Sequence, residues 1–352
     1  MITISPTNLA ECSSALASRH RIAFVGGGTQ LDLGNPPEEV DAQVRTDRLT
    51  RIVDYSPSDM VLTAEAGVTL AQINAAAAEH GQRLALDPPN ADRATIGGIV
   101  ATGAFGPRRA RYGTVRDLII GVTLVRADGL VARGGGKVVK NVAGFDIPKV
   151  ACGSLGTLGM IAEATFRLHP RPEKSATAVI RGLTAAEVFA KTKIIRGMQL
   201  EPVSVVALRV ATGTYDLGVR FEGFSKGVDQ QMQRLGAQDE PFHHDAARTG
   251  GPTRVRIGSL PSRFADVDRI IEGLEPKAFA WYATLGIGYL ECGAHGAALQ
   301  KAREAIGQLI VETRTDIDPW GPVGNAFPIM QALKHRFDPD RRLNPGRFAG
   351  GL

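Results

Sequence analysis

The residues with the clearest chemical meaning are glycines in the first half of the chain. A short β-forming run leads directly into three of them, in Phe24-Val25-Gly26-Gly27-Gly28-Thr29-Gln30-Leu31. Successive backbone N–H groups of such a turn can face a pyrophosphate, and the Thr29 hydroxyl can add a donor. The spacing does not fit the G-x-G-x-x-G fingerprint of dinucleotide-binding folds, because Leu31 stands at the last position. Taken alone, a plain glycine-rich turn explains this loop equally well.

Two further stretches are rich in small residues. One runs through Leu86-Asp87-Pro88-Pro89 to Ala94–Gly103, and the other joins Lys140–Asp146 to Gly153–Gly159. Backbone without bulky side chains can lie against a flat ring system and donate N–H groups to its heteroatoms, although tight core packing is the alternative. Because each glycine weakens regular structure, three such stretches together favour a large ligand that contains a pyrophosphate and rings.

Length and charge narrow the class of protein. A chain of 352 residues suggests two domains, and the net charge is only +5. Arg108, Arg109, Arg111 and Arg116 form one basic cluster, which is either a solvated loop or a surface for an anionic ligand or acidic partner. Nucleic acid is not expected as a partner, since no nucleic-acid-binding motif accompanies this charge.

The cysteines and the apolar runs indicate the compartment. Cys12, Cys152 and Cys292 are scattered, so neither a disulfide framework nor an iron–sulfur cluster of this chain's own is expected. The N-terminus lacks the pattern of a signal peptide, and no apolar run is long enough for a transmembrane segment. These features predict a soluble, cytoplasmic protein.

The elements around the glycines are readable from local signals. Residues 21–25 form a strand, and the capping box Thr69–Gln72 begins a helix over about 70–80 that ends at Gly81. Asp128-Gly129 predicts a hairpin turn. Residues 161–168 read as another strand, and the prolines of His169–Pro172 then mark a domain boundary.

The second half alternates strands and helices, which predicts an antiparallel sheet with helices on one face. A capping box at Thr184–Glu187 begins its first helix. The remaining expected elements are strands 203–210, 215–222, 253–258 and 279–291, and helices 227–236, 264–273, 296–309 and 326–336.

The motifs in their order resemble a known family. GGGT, TIGGIVATGAFGPRRARYGTVRDLIIGV, KNVAGFDIPK and GSLGTLGMIAEATFRLHP resemble the FAD domain of the vanillyl-alcohol-oxidase (PCMH-type) flavoproteins. The GPRR variant and the chain length most resemble the smaller FAD-binding subunit of bacterial glycolate oxidase (glycolate dehydrogenase) complexes. The resemblance implies an α+β fold: a two-subdomain FAD-binding domain over 1–172, a smaller α+β cap over 173–320, and a C-terminal segment 321–352 that returns to the FAD domain.

The resemblance also implies a function. It implies non-covalent FAD, a larger FAD-binding subunit and an iron–sulfur subunit as partners, and contact with the inner face of the membrane through them. The complex would oxidise a small 2-hydroxy acid, glycolate, to glyoxylate and pass electrons toward quinones. The alternatives are a self-sufficient FAD-dependent 2-hydroxy-acid dehydrogenase and a flavin-poor structural subunit.

The resemblance assigns cofactor-binding positions residue by residue. They are the pyrophosphate loop Gly26, Gly27, Gly28, Thr29 and Gln30, the flavin segment Pro89, Thr95, Ile96, Gly97, Gly98, Thr102 and Gly103, the adenine-side residues Gly159 and Ile161, and Asn344 from the C-terminal end.

One part of the family pattern is missing. Catalytic relatives carry a histidine-rich cap motif, whereas Tyr282–Cys292 here has no histidine, and no acid before Glu291. We therefore assign no catalytic residue and expect the main substrate chemistry in the larger subunit.

His243-His244-Asp245 is expected to be a solvated loop rather than a metal site, since adjacent residues on an extended segment point to opposite sides. Lys334, Arg341 and Arg342 read as a solvated face, with contact to an acidic substrate or partner as the alternative.

Overall fold

The computed structural model describes residues 1–18, 20–136, 145–244, 252–313 and 315–352. They form two compact units. The first contains Met1–Phe105, Gly113–Arg171 and Pro322–Leu352, and the second contains Gly106–Tyr112 and Pro172–Gly321. The sequence had placed 106–112 with the first domain. In the structure this segment belongs to the second unit, because Arg108 and Arg111 form ion pairs of 2.8 Å with Glu222 and Glu201 of that unit.

Strands and helices are interspersed along the chain. In chain order the strands are β1 (Ile2–Ile4), β2 (Ile22–Val25), β3 (Ala42–Arg45), β4 (Ile52–Ser56), β5 (Val61–Glu65), β6 (Gln82–Arg83), β7 (Ile119–Val125), β8 (Val131–Gly135), β9 (Met160–Arg167), β10 (His169–Pro170), β11 (Lys174–Leu183), β12 (Ser204–Ala211), β13 (Thr214–Gly223), β14 (Thr253–Gly258), β15 (Pro276–Tyr282), β16 (Ile287–Cys292) and β17 (Gln308–Val311). The helices are α1 (Leu9–Ala17), α2 (Leu70–Ala78), α3 (Ile96–Thr102), α4 (Arg109–Tyr112), α5 (Val115–Leu118), α6 (Ile147–Ala151), α7 (Ala185–Gly197), α8 (Ser225–Leu235), α9 (Phe264–Glu272), α10 (Ala297–Ile306) and α11 (Phe327–Phe337).

The first unit is built on two larger sheets. β1, β3 and β2 form a parallel sheet, in which Val25 pairs with Arg45, so that the carboxyl ends of β2 and β3 meet at one edge. β4, β5, β9, β7 and β8 form an antiparallel sheet. The core around Leu16 and Val44 of the first sheet includes Val125 and Met160 of the second sheet, and the second sheet has a further core around Phe166. The edge where β2 and β3 end is therefore held by two packed layers.

The second unit is one seven-stranded sheet in the order β11-β13-β12-β15-β16-β14-β17, and its neighbouring strands are all antiparallel. Helices α7 to α10 contribute apolar residues to a single core on the sheet. Within it, Phe264 of α9 stacks on Trp281 of β15 at 4.8 Å between ring centroids. The predicted antiparallel sheet with helices on one face is confirmed.

Local signals predicted several elements correctly and missed others. The capping boxes at Thr69 and Thr184 are confirmed by reciprocal bonds to the residues three positions on. The single strand expected over 279–291 is wrong: it is a hairpin that turns at Gly286, whose φ is 68°. The helix expected over 296–309 ends at Ile306, because Gly307 adopts a φ of 96° and Gln308–Val311 then joins the sheet as β17.

Candidate functional site

A cleft opens in the first unit where β2 and β3 end. Its walls include the glycine loop after β2, Pro88 and Pro89, helix α3 with the residue before it, the 155–161 stretch and the C-terminal segment. The predicted site residues brought together there are Gly26, Gly27, Gly28, Thr29, Gln30, Pro89, Thr95, Gly97, Gly98, Thr102, Gly159, Ile161 and Asn344.

Two predicted residues lie elsewhere. Ile96 is fully buried in the core beneath α3, because its side chain points away from the cleft. Gly103 ends α3 in the left-handed conformation, with φ at 63°, and its N–H bonds back to the carbonyls of Ile99 and Val100. The predicted stretch Lys140–Gly144 lies outside the described residues.

The glycines of the loop after β2 are required by different constraints. A Cβ on Gly26 would overlap Thr95 Oγ1, and one on Gly27 would overlap the carbonyl oxygen of Arg93. The loop thus packs directly on the segment that begins α3, and the N–H of Gly27 donates to Thr95 Oγ1 at 3.2 Å. Gly28 has open space but a φ of 71°, which side chains rarely adopt.

This loop presents unused donors. Among the residues that the structure describes, no acceptor within the chain receives the backbone N–H of Gly28, Thr29 or Gln30. Backbone N–H groups are strong donors that are nearly always paired in folded proteins. Three consecutive unpaired donors at one end of a cleft suit an anion with several oxygens.

Thr46 is a site residue that the sequence reasoning missed. Its N–H bonds to the carbonyl of Val25 at 3.0 Å, so it stands beside the glycine loop where β3 ends. Its side chain is only 6% exposed, and Oγ1 has no hydrogen-bond partner among the described residues. No glycine signature marks this position. Only a prediction that β2 and β3 pair in parallel would have placed Thr46, which directly follows β3, beside the loop that directly follows β2.

Asn344 lines the cleft by joining two of its walls. Its Oδ1 accepts the N–H of Phe24 at 3.0 Å, and its Nδ2 donates to the carbonyl of Leu155. The adjacent Leu343 pairs with Ile22 in parallel fashion, which extends the sheet of β2. Asn344 therefore sets the distance between β2 and the 155–161 stretch, since both ends of its amide are engaged within the chain.

The expectation of a solvated face near the C-terminus is wrong for two residues. Lys334 is 2% exposed, and its Nζ donates to Asp338 Oδ2 at 2.8 Å and to the carbonyls of Thr157 and Leu343. Burial lowers the pKa of this ammonium, while Asp338 opposes the shift. Arg342 is also buried, and its guanidinium bonds to main-chain carbonyls, including that of His20 at 3.1 Å. Both side chains hold the C-terminal segment in place.

His244, expected in a solvated loop, is buried in the second unit. Its Nδ1 lies 3.3 Å from Ser204 Oγ, and its ring meets Phe242 edge to face. Burial, together with the nearby cations Arg220 and Arg108, lowers the pKa of His244 to about 3. The imidazole is therefore neutral at physiological pH. His243 is exposed, and Asp245 lies outside the described residues.

The basic cluster is divided by the fold. Arg108 and Arg111 are ion-paired within the second unit, whereas Arg116 belongs to the first and donates to the carbonyl of Lys149 at 2.8 Å. The described parts of the chain contain no group of three or more potential metal ligands. In those same parts, no helix has the length and apolar character needed to cross a bilayer.

Comparison with known proteins agrees with this architecture. Residues 2–135 match the family described as an FAD binding domain. The chain is 33% identical to glycolate oxidase subunit GlcE of Escherichia coli (strain K12) over 98% of its own length and 97% of that protein. It is 34% identical to glycolate oxidase subunit GlcD of Bacillus subtilis (strain 168), over 52% of this chain and 40% of that protein.

A solved structure shows the same fold. An alkyldihydroxyacetonephosphate synthase superposes with a TM-score of 0.71 over 97% of this chain and 75% of its own, at 17% identity. The predicted α+β fold of the PCMH type is confirmed, and so is FAD as the cofactor. Because the chain is 33% identical to glycolate oxidase subunit GlcE over nearly the full length of both proteins, this flavoprotein belongs to the family of that subunit.

Proposed function

We propose that this chain is the smaller FAD-binding subunit, of the GlcE type, in a multisubunit glycolate-oxidising complex, and that it holds FAD in the cleft of the first unit. The observation that supports this most is the identity to the Escherichia coli protein along nearly the whole of both chains. In this proposal the first unit is the FAD domain, with the C-terminal segment as part of it, and the second unit is the cap.

The residues of the cleft fit the cofactor. The N–H groups of Gly28, Thr29 and Gln30 supply donors for the pyrophosphate, and the buried Oγ1 of Thr46 supplies another beside them. The small residues Gly97, Gly98, Ala101 and Thr102 line the cleft and leave room for a flat ring. When bound, FAD accepts the two electrons released as a 2-hydroxy acid becomes a 2-oxo acid.

Substrate oxidation is assigned mainly to a larger FAD-binding partner subunit, with an iron–sulfur subunit to carry electrons to a quinone-type acceptor. A general base works best when its pKa lies near the working pH. In the described part of the second unit His243 and His295 are exposed, and His244 is held at a pKa of about 3, too low for that role. We place the chain in the cytoplasm, at the inner face of the membrane through these partners.

The test compares the isolated chain with the assembled complex. The purified chain should show a flavin spectrum, and anaerobic glycolate or D-lactate should bleach it slowly or not at all. The reconstituted complex should reduce an artificial acceptor with glycolate. Rapid bleaching of the isolated chain would instead support a self-sufficient dehydrogenase. Purification without any flavin, and failure to bind added FAD, would support a structural subunit.

A further inference from the structure

The C-terminal segment after Asn344 runs beside the chain that follows the glycine loop. The N–H of Glu38 bonds to the carbonyl of Pro345, and the N–H of Asn35 bonds to that of Arg347, both at 3.0 Å. The amide of Asn35 also donates to the carbonyls of Gly346 and Phe348 at 3.2 Å. These bonds hold the backbone of Arg347 and direct its side chain inward, where it is 8% exposed and lines the cleft.

The guanidinium of Arg347 binds the glycine loop through three carbonyls. Its Nη2 donates to Gln30 at 3.0 Å and to Leu31 at 3.2 Å, and its Nε donates to Leu33 at 3.2 Å. The guanidinium presents its donors in a fixed planar fork, and here that fork reaches three carbonyls of neighbouring residues. One side chain thus fixes the turn that directly follows Thr29.

We propose that Arg347 is a positioning residue that fixes this loop with the N–H groups of Gly28, Thr29 and Gln30 toward the cleft, and so sets the affinity for the pyrophosphate of the flavin. The proposal depends on the FAD site proposed above. The loop has no helix or strand of its own, and its glycines are free to adopt many conformations. Ordering it before the ligand arrives removes that entropic cost from binding. The positive charge beside the loop also favours an anion.

The experiment uses the full chain freed of flavin and three probes, FAD, ADP and riboflavin, which differ in whether they carry the pyrophosphate. In Arg347→Met, binding must itself order the loop, at about 1–2 kcal/mol for each residue fixed, so the dissociation constants of FAD and ADP should rise about 10- to 100-fold, with little change for riboflavin. Arg347→Lys should show a smaller loss with the same ligand preference. Arg336→Met, at an exposed position of α11, is the matched control and should bind all three probes as the parent does.

The outcomes separate this idea from the FAD site itself. Equal weakening of all three probes in Arg347→Met would show a general structural role and overturn the proposal, as would unchanged FAD binding. If Arg347→Met does not fold, as judged by circular dichroism, Arg347→Lys decides by the same comparison of FAD with riboflavin. A parent chain that binds none of the probes would refute the proposed FAD site before any variant is compared.

Discussion

Replacing Thr46 with valine should shift stability and flavin affinity in opposite directions. The hydroxyl of Thr46 is buried beside the glycine loop and has no partner among the described residues. Valine keeps the shape of the side chain and removes only the polar atom. In the flavin-free chain the hydroxyl is desolvated without a hydrogen bond, whereas with FAD bound it can donate to a phosphate oxygen.

The magnitudes follow from these two states. An unsatisfied buried polar group costs about 1–3 kcal/mol, so flavin-free Thr46→Val should raise the free energy of unfolding of the first unit by about 1 kcal/mol. A hydrogen bond to a charged group contributes about 1.5–3 kcal/mol, so the dissociation constant of FAD should rise roughly 10- to 100-fold. Because ligand binding stabilises the folded state, the gain in stability should disappear at high FAD concentration.

Urea unfolding of the flavin-free chain and calorimetric titration with FAD measure both effects. Thr63→Val is the matched control, because Thr63 is also buried but its Oγ1 lies 2.9 Å from Thr165 Oγ1. That variant should lose stability and keep its FAD affinity. The reasoning is refuted if Thr46→Val destabilises the flavin-free chain as Thr63→Val does, or if its FAD affinity equals that of the parent.

Three further predictions concern the loop and the second unit. Denaturation should release all flavin into the supernatant, because Gly26–Thr29 offers no nucleophilic side chain for a covalent bond; colour that stays in the precipitate would contradict this. Gly28→Val should lose flavin while the second unit stays folded, since a β-branched residue is strained at a φ of 71°; full flavin content in the purified variant would show the phosphate-loop assignment to be wrong. Because the pKa of His244 is about 3 when folded against 6.5 ordinarily, its stabilising contribution is complete above pH 6.5 and declines as the pH falls toward 3, by about 2 kcal/mol at pH 5. Urea titrations at pH 7.5 and 5 should show that His244→Gln lacks this decline and that the exposed His243→Gln keeps it; equal declines in both would count against the buried neutral imidazole.

Local structure was predictable wherever it depends on residues a few positions apart. The capping boxes at Thr69 and Thr184 and the turn at Asp128-Gly129 are of this kind, and the structure has them where their spacing placed them. The loop at Gly26–Gly28 belongs with them, because its residue types already imply backbone that bends sharply and approaches its neighbours closely.

Burial and partnership of polar side chains were not predictable in this way. Lys334, Arg342 and His244 have the residue types of a surface, yet all three are buried. The partners that make this possible are carbonyls and a hydroxyl from distant parts of the chain, such as Thr157 for Lys334 and Ser204 for His244. A charged side chain is tolerated inside only when such groups surround it, and the spacing of neighbouring residues carries no information about them.

The sequence by itself predicted a glycine loop suited to a phosphate, and the tertiary structure decided which side chains lie beside that loop. The glycines of the loop act through their own backbone freedom, which is a property of each residue. Thr46 and Arg347 act through what lies beside them, and that depends on β3 running parallel to β2 and on a segment some 300 residues later folding back over the loop. Such pairings are set by the packing of whole sheets and cores, so their effect on a single side chain emerges only once the chain has folded.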